Sequence, residues 1–164
     1  MFDDEEIARS VAANGWHAIS VADRPPGFVY TCGLLTTFGH PEAIILGLSA
    51  QAAHAVLAVM VEDIRAGRPF AAPGSYDGIL VELPVAIRAV HPTWHELYLG
   101  YAMGHCRHTG NPGGLVAVQV FWPDQMGRFP FEAGCDPEVA ALQTRLDLPV
   151  PPSELRAFRR RYRG

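Results

Sequence analysis

Three short apolar segments with strand character follow one another closely before the first long helix of the chain. They span residues 16–22, 28–35 and 43–48. Short connections of this kind join antiparallel strands, whereas parallel neighbours require a long crossover. Strands and helices do not alternate regularly along the 164 residues, so a doubly wound parallel sheet is not expected. The sequence predicts an α+β fold instead, with a sheet that begins antiparallel.

Two further segments extend the predicted sheet. Residues 79–90 alternate between apolar and polar side chains, which is typical of a strand with one buried face. Pro84 cannot donate a hydrogen bond to a neighbouring strand, so it predicts an edge strand or a bulge. Residues 115–122 are strongly apolar and predict a central strand. We therefore expect an antiparallel, partly open split-barrel-like sheet flanked by helices.

The predicted helices begin at residues whose side chains can cap a helix N-terminus. Asp3 with Glu6, and Thr93 with Glu96, match the capping-box pattern, in which both side chains bond to backbone N–H groups. Ser49 is a suitable cap for the intervening helix. The helices are expected at residues 3–14, 50–66 and 93–108, with shorter ones after Asp136 and Ser153, and residues 68–77 are expected to form a loop.

The length of the chain favours one globular domain with a distinct C-terminal tail. A chain of this size supports one good core but not two. We expect the domain to span residues 1–148. It is followed at 149–164 by a proline-rich spacer and a basic helix or tail.

The charge pattern excludes several classes of function. The formal net charge is −4, which argues against general nucleic-acid binding. All 13 basic residues are arginine, so a lysine nucleophile, a pyridoxal Schiff base and a P-loop lysine are excluded. No apolar run approaches the roughly 20 residues of a membrane span, and the acidic N-terminus lacks the pattern of a signal peptide. We expect a cytoplasmic protein that does not associate with membranes.

Two groups of motif residues resemble one protein family. The first group is Tyr30-Thr31-x-Gly33-Leu34 with Gly39-His40-Pro41-Glu42, and the second is Gln119-x-x-Trp122-Pro123-Asp124-x-x-Gly127-x-Phe129-Pro130. Over about residues 4–145 the chain resembles the bacterial family known as domain of unknown function 4262, which has no established activity. Where that family usually has Phe-Pro-Trp, this chain has Phe129-Pro130-Phe131. The resemblance therefore implies no particular reaction.

A weaker resemblance, in the order of elements only, is to flavin-reductase-like split barrels. It implies flavin mononucleotide (FMN) as a candidate cofactor. Thr36, Thr37 and Arg68 are then candidate ligands of its phosphate, because hydroxyl and guanidinium groups suit that role. Split barrels generally dimerise, and an edge strand containing Pro84 would need cover. We expect a homodimer whose arginine-rich tail reaches towards the partner subunit.

His40 and Glu42 lie in a loop directly before a buried strand. Loops held by a rigid sheet often carry functional side chains, and the imidazole could act as a general base or a ligand. Alternatively, both side chains fix the turn through hydrogen bonds to the backbone. The second interpretation has slightly more support from the sequence.

The end of the predicted central strand also allows two interpretations. Gln119, Trp122 and Asp124 could form the rim of a pocket, or they could lock the strand exit through a cap and aromatic packing. The sequence leaves both open. The candidate ligand-binding residues are therefore Tyr30, Thr31, Thr36, Thr37, His40, Glu42, Arg68, Gln119, Trp122 and Asp124.

No motif identifies a reaction. Two histidine pairs, His91 with His95 and His105 with His108, have helical spacing but no evident third ligand, so no metal site is expected. The sequence favours a domain that binds an unknown small molecule, a flavin being one candidate, in a pocket near the loop of residues 31–42. The alternative is a non-catalytic protein-interaction or regulatory module, and whether the chain is an enzyme stays open.

Overall fold

The computed structural model describes residues 2–111 and 113–162, which form a six-stranded sheet with helices on both faces. The strands are β1 (His17–Val21), β2 (Phe28–Cys32), β3 (Glu42–Leu46), β4 (Gly74–Tyr76), β5 (Val85–Ala89) and β6 (Ala117–Phe121). Their spatial order is β1-β2-β3-β6-β5-β4. The sheet is open, since β1 and β4 form its two edges.

The expectation of a purely antiparallel sheet is wrong. Neighbouring strands are antiparallel except for the central pair, β3 and β6, which run parallel with Ile44 opposite Gln119. The reason is the long connection from β3 to β6, which passes through helices before and after the β4–β5 hairpin, so that β6 enters the sheet between β3 and β5. A parallel pair requires such a crossover. The predicted central position of β6 is confirmed.

The helices occupy both faces of the sheet and the connections at its ends. They are α1 (Asp4–Asn14), α2 (Leu34–Phe38), α3 (Ala50–Arg65), α4 (His95–Tyr98), α5 (Gly100–His108), α6 (Pro137–Leu142) and α7 (Pro152–Tyr162), with a 3₁₀ turn at Pro92–Trp94. Among the residues that the structure describes, no helix combines the length and apolar character needed to cross a membrane.

Each face of the sheet has its own apolar core. On one face, α3 packs Leu57 and Met60 against strand residues such as Ile45. On the other, α1, α4 and α5 pack against Tyr30 and Ile44. All five residues of β3 are buried, which explains why residues 43–46 are apolar throughout rather than alternating.

Local capping was predicted correctly at three helices and wrongly at two, since α7 begins at Pro152 and Ser153 lies inside it rather than capping it. Asp3 and Glu6 form the capping box of α1. Ser49 caps α3, and Asp136 caps α6. The predicted capping box at Thr93 does not form, because the Thr93 hydroxyl accepts a hydrogen bond from the Val150 N–H (2.9 Å).

Several predicted strands and helices have different bounds. The predicted strand 28–35 ends at Cys32, and α2 follows it. The predicted helix 93–108 is divided into a 3₁₀ turn, α4 and α5, and the predicted loop 68–77 contains β4.

The predicted strand 79–90 is ordered as a strand only over Val85–Ala89. Because β4 pairs with β5, the Pro84 segment is not the sheet edge, and that expectation is wrong. Pro84 directly precedes β5, where its missing N–H costs no ladder hydrogen bond.

Candidate functional site

Glu42, the first residue of β3, is 3% exposed and accepts four hydrogen bonds. Its Oε1 accepts from the Thr31 hydroxyl (2.8 Å) and the Leu34 N–H (3.1 Å). Its Oε2 accepts from the N–H groups of Gly33 (3.0 Å) and Leu35 (3.3 Å). These donors favour the carboxylate, but burial disfavours it more strongly and raises the pKa of Glu42 to about 7. The buried Glu42 side chain therefore accepts hydrogen bonds from the backbone N–H groups at the N-terminal end of α2.

The turn from β2 into α2 depends on Gly33. Its φ of 102° is in the left-handed region, and a Cβ at this position would lie 2.6 Å from a methyl group of Val11. The neighbouring Thr31 hydroxyl also accepts a hydrogen bond from the Ala43 N–H (2.9 Å). Thr31 and Glu42 therefore connect the end of β2 to the start of β3.

His40 uses both ring nitrogens within the fold. Nδ1 lies 2.7 Å from the Pro41 carbonyl, and Nε2 accepts from the Phe70 N–H at 2.9 Å. Because Nε2 is the acceptor, the hydrogen is assigned to Nδ1, which donates to Pro41. Burial lowers the pKa of His40 and favours this neutral form.

Gln119 and Trp122 hold the segment that follows β6. The Gln119 amide donates to the Thr144 carbonyl (2.8 Å) and accepts from the Leu146 N–H (2.8 Å). The Trp122 indole donates to the Leu46 carbonyl (2.8 Å). Gln119 is completely buried.

Asp124 organises the loop after β6. Its Oδ1 accepts from the N–H groups of Met126 and Arg128 (2.9 Å each), and its Oδ2 accepts from the Asp136 N–H (2.8 Å). These backbone donors hold the pKa of Asp124 below its ordinary value. The carboxylate thus fixes both ends of the loop that contains Phe129.

The remaining motif residue, Tyr30, lies in the core between the sheet and α5. Its hydroxyl accepts a hydrogen bond from the Tyr101 N–H (3.1 Å), and its side chain is 2% exposed. Burial raises the pKa of the Tyr30 phenol. Ligand binding by these motif residues stays a prediction.

Thr36 and Thr37 lie at the surface, in a groove of about 670 Å³ between the ends of several helices. We call it the helix-end groove. It is lined by the C-terminal part of α1, by the two threonines of α2, by Arg65 at the end of α3, and by His105 and Thr109 at the end of α5. Of the predicted site residues, these two threonines are the pair that the groove brings together.

His105 is the one buried titratable side chain among the groove's lining residues. Its Nε2 lies 3.2 Å from the Thr36 hydroxyl, which itself donates to the Gly33 carbonyl (3.1 Å). Because the Thr36 hydroxyl uses its hydrogen in the bond to Gly33, it can only accept from His105, and we assign the donating ring hydrogen to Nε2. Nδ1 is then an acceptor, and it has no hydrogen-bond partner within residues 2–111 and 113–162. Burial and the nearby His108 lower the pKa of His105 and keep the ring neutral.

Arg65 rather than Arg68 shares the groove with the threonines. It donates to the Asn14 carbonyl (3.0 Å) at the end of α1 and pairs with Glu62 (3.5 Å). Arg68 instead pairs with Asp63 (3.1 Å) and donates to the Asp77 carbonyl.

Arg65 and Thr109 are not among the site residues predicted from the sequence, which pointed to His105 only as one half of a histidine pair. The available signal was their position at helix ends, with Arg65 and His105 in the last turns of two predicted helices and Thr109 directly after one. Basic and polar side chains there can bond to the last carbonyl groups of a helix. Within residues 2–111 and 113–162, no group of three or more His, Cys, Asp or Glu side chains could hold a metal ion.

Comparison with known proteins identifies a family but no activity. Neither the curated proteins nor the solved structures contain a match to this chain. Residues 10–136 match the family described as domain of unknown function (DUF4262). This match covers more than half of the chain and includes both groups of motif residues, so the protein belongs to that family.

Proposed function

We propose that this protein binds a small molecule in the helix-end groove. The observation that supports the proposal is the convergence of Thr36, Thr37, His105 and Thr109 on one groove of about 670 Å³. Ligand pockets of small molecules have volumes of roughly 300–1,000 Å³ and a few convergent polar groups. The groove also adjoins the loop of residues 31–42, where the sequence places the pocket.

The chemistry of the groove favours a ligand that donates hydrogen bonds. The C-terminal turns of α1 and α5 line it, and the C-terminal end of a helix carries partial negative charge. The Nδ1 of His105 is buried and therefore offers a ligand no acceptor, whereas the hydroxyl-bearing Thr36, Thr37 and Thr109 are exposed. A neutral polyol or an amine suits these hydroxyl groups and the negative helix ends better than an anion does.

The same groove has few free hydrogen-bond donors for the phosphate group of FMN. Its one guanidinium group among the described lining residues, Arg65, already bonds to the Asn14 carbonyl and pairs with Glu62. The α2 N–H groups that could bind a phosphate donate to Glu42 instead. Flavin binding stays a prediction, and a titration followed by visible absorbance tests it.

The proposal is tested with ¹H–¹⁵N NMR spectra of the whole chain. Glycerol, ethanolamine and acetate are added separately at millimolar concentration as polyol, amine and anion probes. We expect the amide signals of Thr36, Thr37 and Thr109 to shift with the first two probes and not with acetate.

A blocking variant and a matched control make this test specific. Thr37 is exposed on α2, so Thr37→Trp should fill the groove and abolish the shifts without disturbing the core. Val59→Trp places the same side chain at a 41% exposed position of α3, outside the groove. Shifts that persist in Thr37→Trp, or no shifts in the unaltered chain, would contradict the proposal.

A further inference from the structure

A second cavity of about 610 Å³ lies at the other end of the sheet, beside β4 and β5. We call it the aromatic cleft. Its lining residues are Pro73, Gly74, Ser75, Pro84, Ala86, Ile87, Arg88, Gly127, Phe129, Phe131 and Glu132. We propose that the aromatic cleft binds a planar aromatic molecule that carries an anionic group.

Small side chains form part of the floor of the aromatic cleft. Ser75 of β4 is directly opposite Ala86 of β5, and Gly74 is next to Ser75. Ala86 packs with Phe121 and Phe129 in a small cluster separate from the two main cores. A pleated surface of small side chains leaves a slot that a planar ring can fill.

The wall of the aromatic cleft is held in place by hydrogen bonds and a ring contact within its own loop. Asp124 holds the loop at both ends, and the Glu132 carboxylate accepts a hydrogen bond from the Phe129 N–H (3.1 Å). Phe131 stacks on Phe129 with ring centroids 5.5 Å apart. A preformed aromatic wall lowers the entropic cost of binding and favours an aromatic partner.

Arg88 supplies the charge. Its guanidinium lies over the Phe131 ring, 3.6 Å from the centroid, and donates through one nitrogen to Asp147 (3.1 Å). Asp147 is shared with Arg145, which donates to both carboxylate oxygens. Two guanidinium groups therefore share one carboxylate, which leaves one positive charge uncompensated within this group.

The N–H groups of Arg88 that do not bond to Asp147 are available to a ligand. The side chain is 38% exposed, and among the described residues its only hydrogen bond is the one to Asp147. Its remaining N–H groups suit a carboxylate or phosphate oxygen. The carboxylate of Glu132, the other charged group that lines the aromatic cleft, faces solvent at the rim and bonds to the Phe129 N–H.

The test uses 2-naphthoate as the anionic aromatic probe and 2-naphthamide as its neutral counterpart. Binding is followed through the amide signals of Ser75, Arg88 and Phe129 in ¹H–¹⁵N NMR titrations of the whole chain. We expect 2-naphthoate to bind roughly tenfold more tightly than the amide, the gain typical of a charge-assisted hydrogen bond. Arg88→Gln should remove that preference.

Two tyrosine variants locate the binding. Ser75 is an exposed strand residue, so Ser75→Tyr should fill the floor without loss of folding and weaken 2-naphthoate binding at least roughly tenfold. Ser20→Tyr makes the same change at an exposed position of the opposite edge strand, β1, and should leave binding unchanged. Absence of binding, equal binding of both probes, or equal binding by the Ser75 variant would each overturn the inference.

Discussion

The buried carboxyl of Glu42 predicts an unusual pH dependence of stability. Its pKa in the folded protein is about 7, against an ordinary value of 4.5. Between these values the folded protein holds a proton that the unfolded chain releases, so the contribution of Glu42 to stability falls as the pH rises. Each pH unit in this window removes about 1.4 kcal/mol, which gives a loss of roughly 3 kcal/mol between pH 4.5 and 7.

The assay is urea unfolding from pH 4.5 to 8, for the unaltered chain and for Glu42→Gln. The comparison is needed because burial lowers the pKa values of His40 and His105. The stability that these neutral rings contribute is lost as the pH falls below about 6.5, which opposes the effect of Glu42. The variant retains both histidines, so the difference between the two proteins isolates the carboxyl.

We expect the stability of the unaltered chain, relative to Glu42→Gln, to decrease by roughly 3 kcal/mol as the pH rises through this window. A difference that is constant or increases with pH would refute the reasoning. It would mean that the four donors from Thr31, Gly33, Leu34 and Leu35 outweigh burial and keep Glu42 ionised.

Four further outcomes are expected. Leu57→Ala, at a completely buried position of α3, should lower the free energy of unfolding by about 3 kcal/mol. Val59→Ala, at a 41% exposed position of the same helix, should change it by less than about 0.5 kcal/mol. Equal effects of the two variants in denaturant unfolding would contradict the assignment of the buried face of α3. Asp124→Ala should make the three amides that bond to the carboxylate exchange hydrogen faster, and unchanged exchange would show that the loop is held by other contacts. Phe158→Ala should increase proteolysis within α7, because Phe158 packs against the core and lies beside the Arg24 guanidinium; unchanged cleavage would show that α7 is held elsewhere. The homodimer stays a prediction, and light scattering that gives the mass of one chain at micromolar concentration would contradict it.

The correctly predicted parts of the fold depend on neighbours in sequence. The capping box of Asp3 and Glu6 and the Ser49 cap each join residues three positions apart. The apolar stripe of α3 and the buried β3 follow from side-chain periodicity and composition. Such features are visible in a linear pattern because the interactions that stabilise them are local.

The candidate site depends on residues that are far apart in the chain. Thr36 and His105 are 69 positions apart, and Arg65 meets the end of α1 across 51 positions. The sequence indicated hydroxyl and basic groups near the loop of residues 31–42. The sequence predicted Arg68 rather than Arg65, because only the folded chain, in which the ends of α3 and α1 meet, shows which arginine reaches the groove.

The sequence by itself determined the family, the α+β composition, the long helix α3 and the buried, apolar character of β3 and β6. The tertiary structure decided the parallel pairing of β3 with β6, the hairpin partner of β5, and the inward role of Glu42, His40 and Gln119. The physical reason is that a buried polar group must find hydrogen-bond partners wherever the fold places them. Glu42 finds its donors at the start of α2, His40 finds the Phe70 N–H, and Gln119 finds the backbone near Leu146.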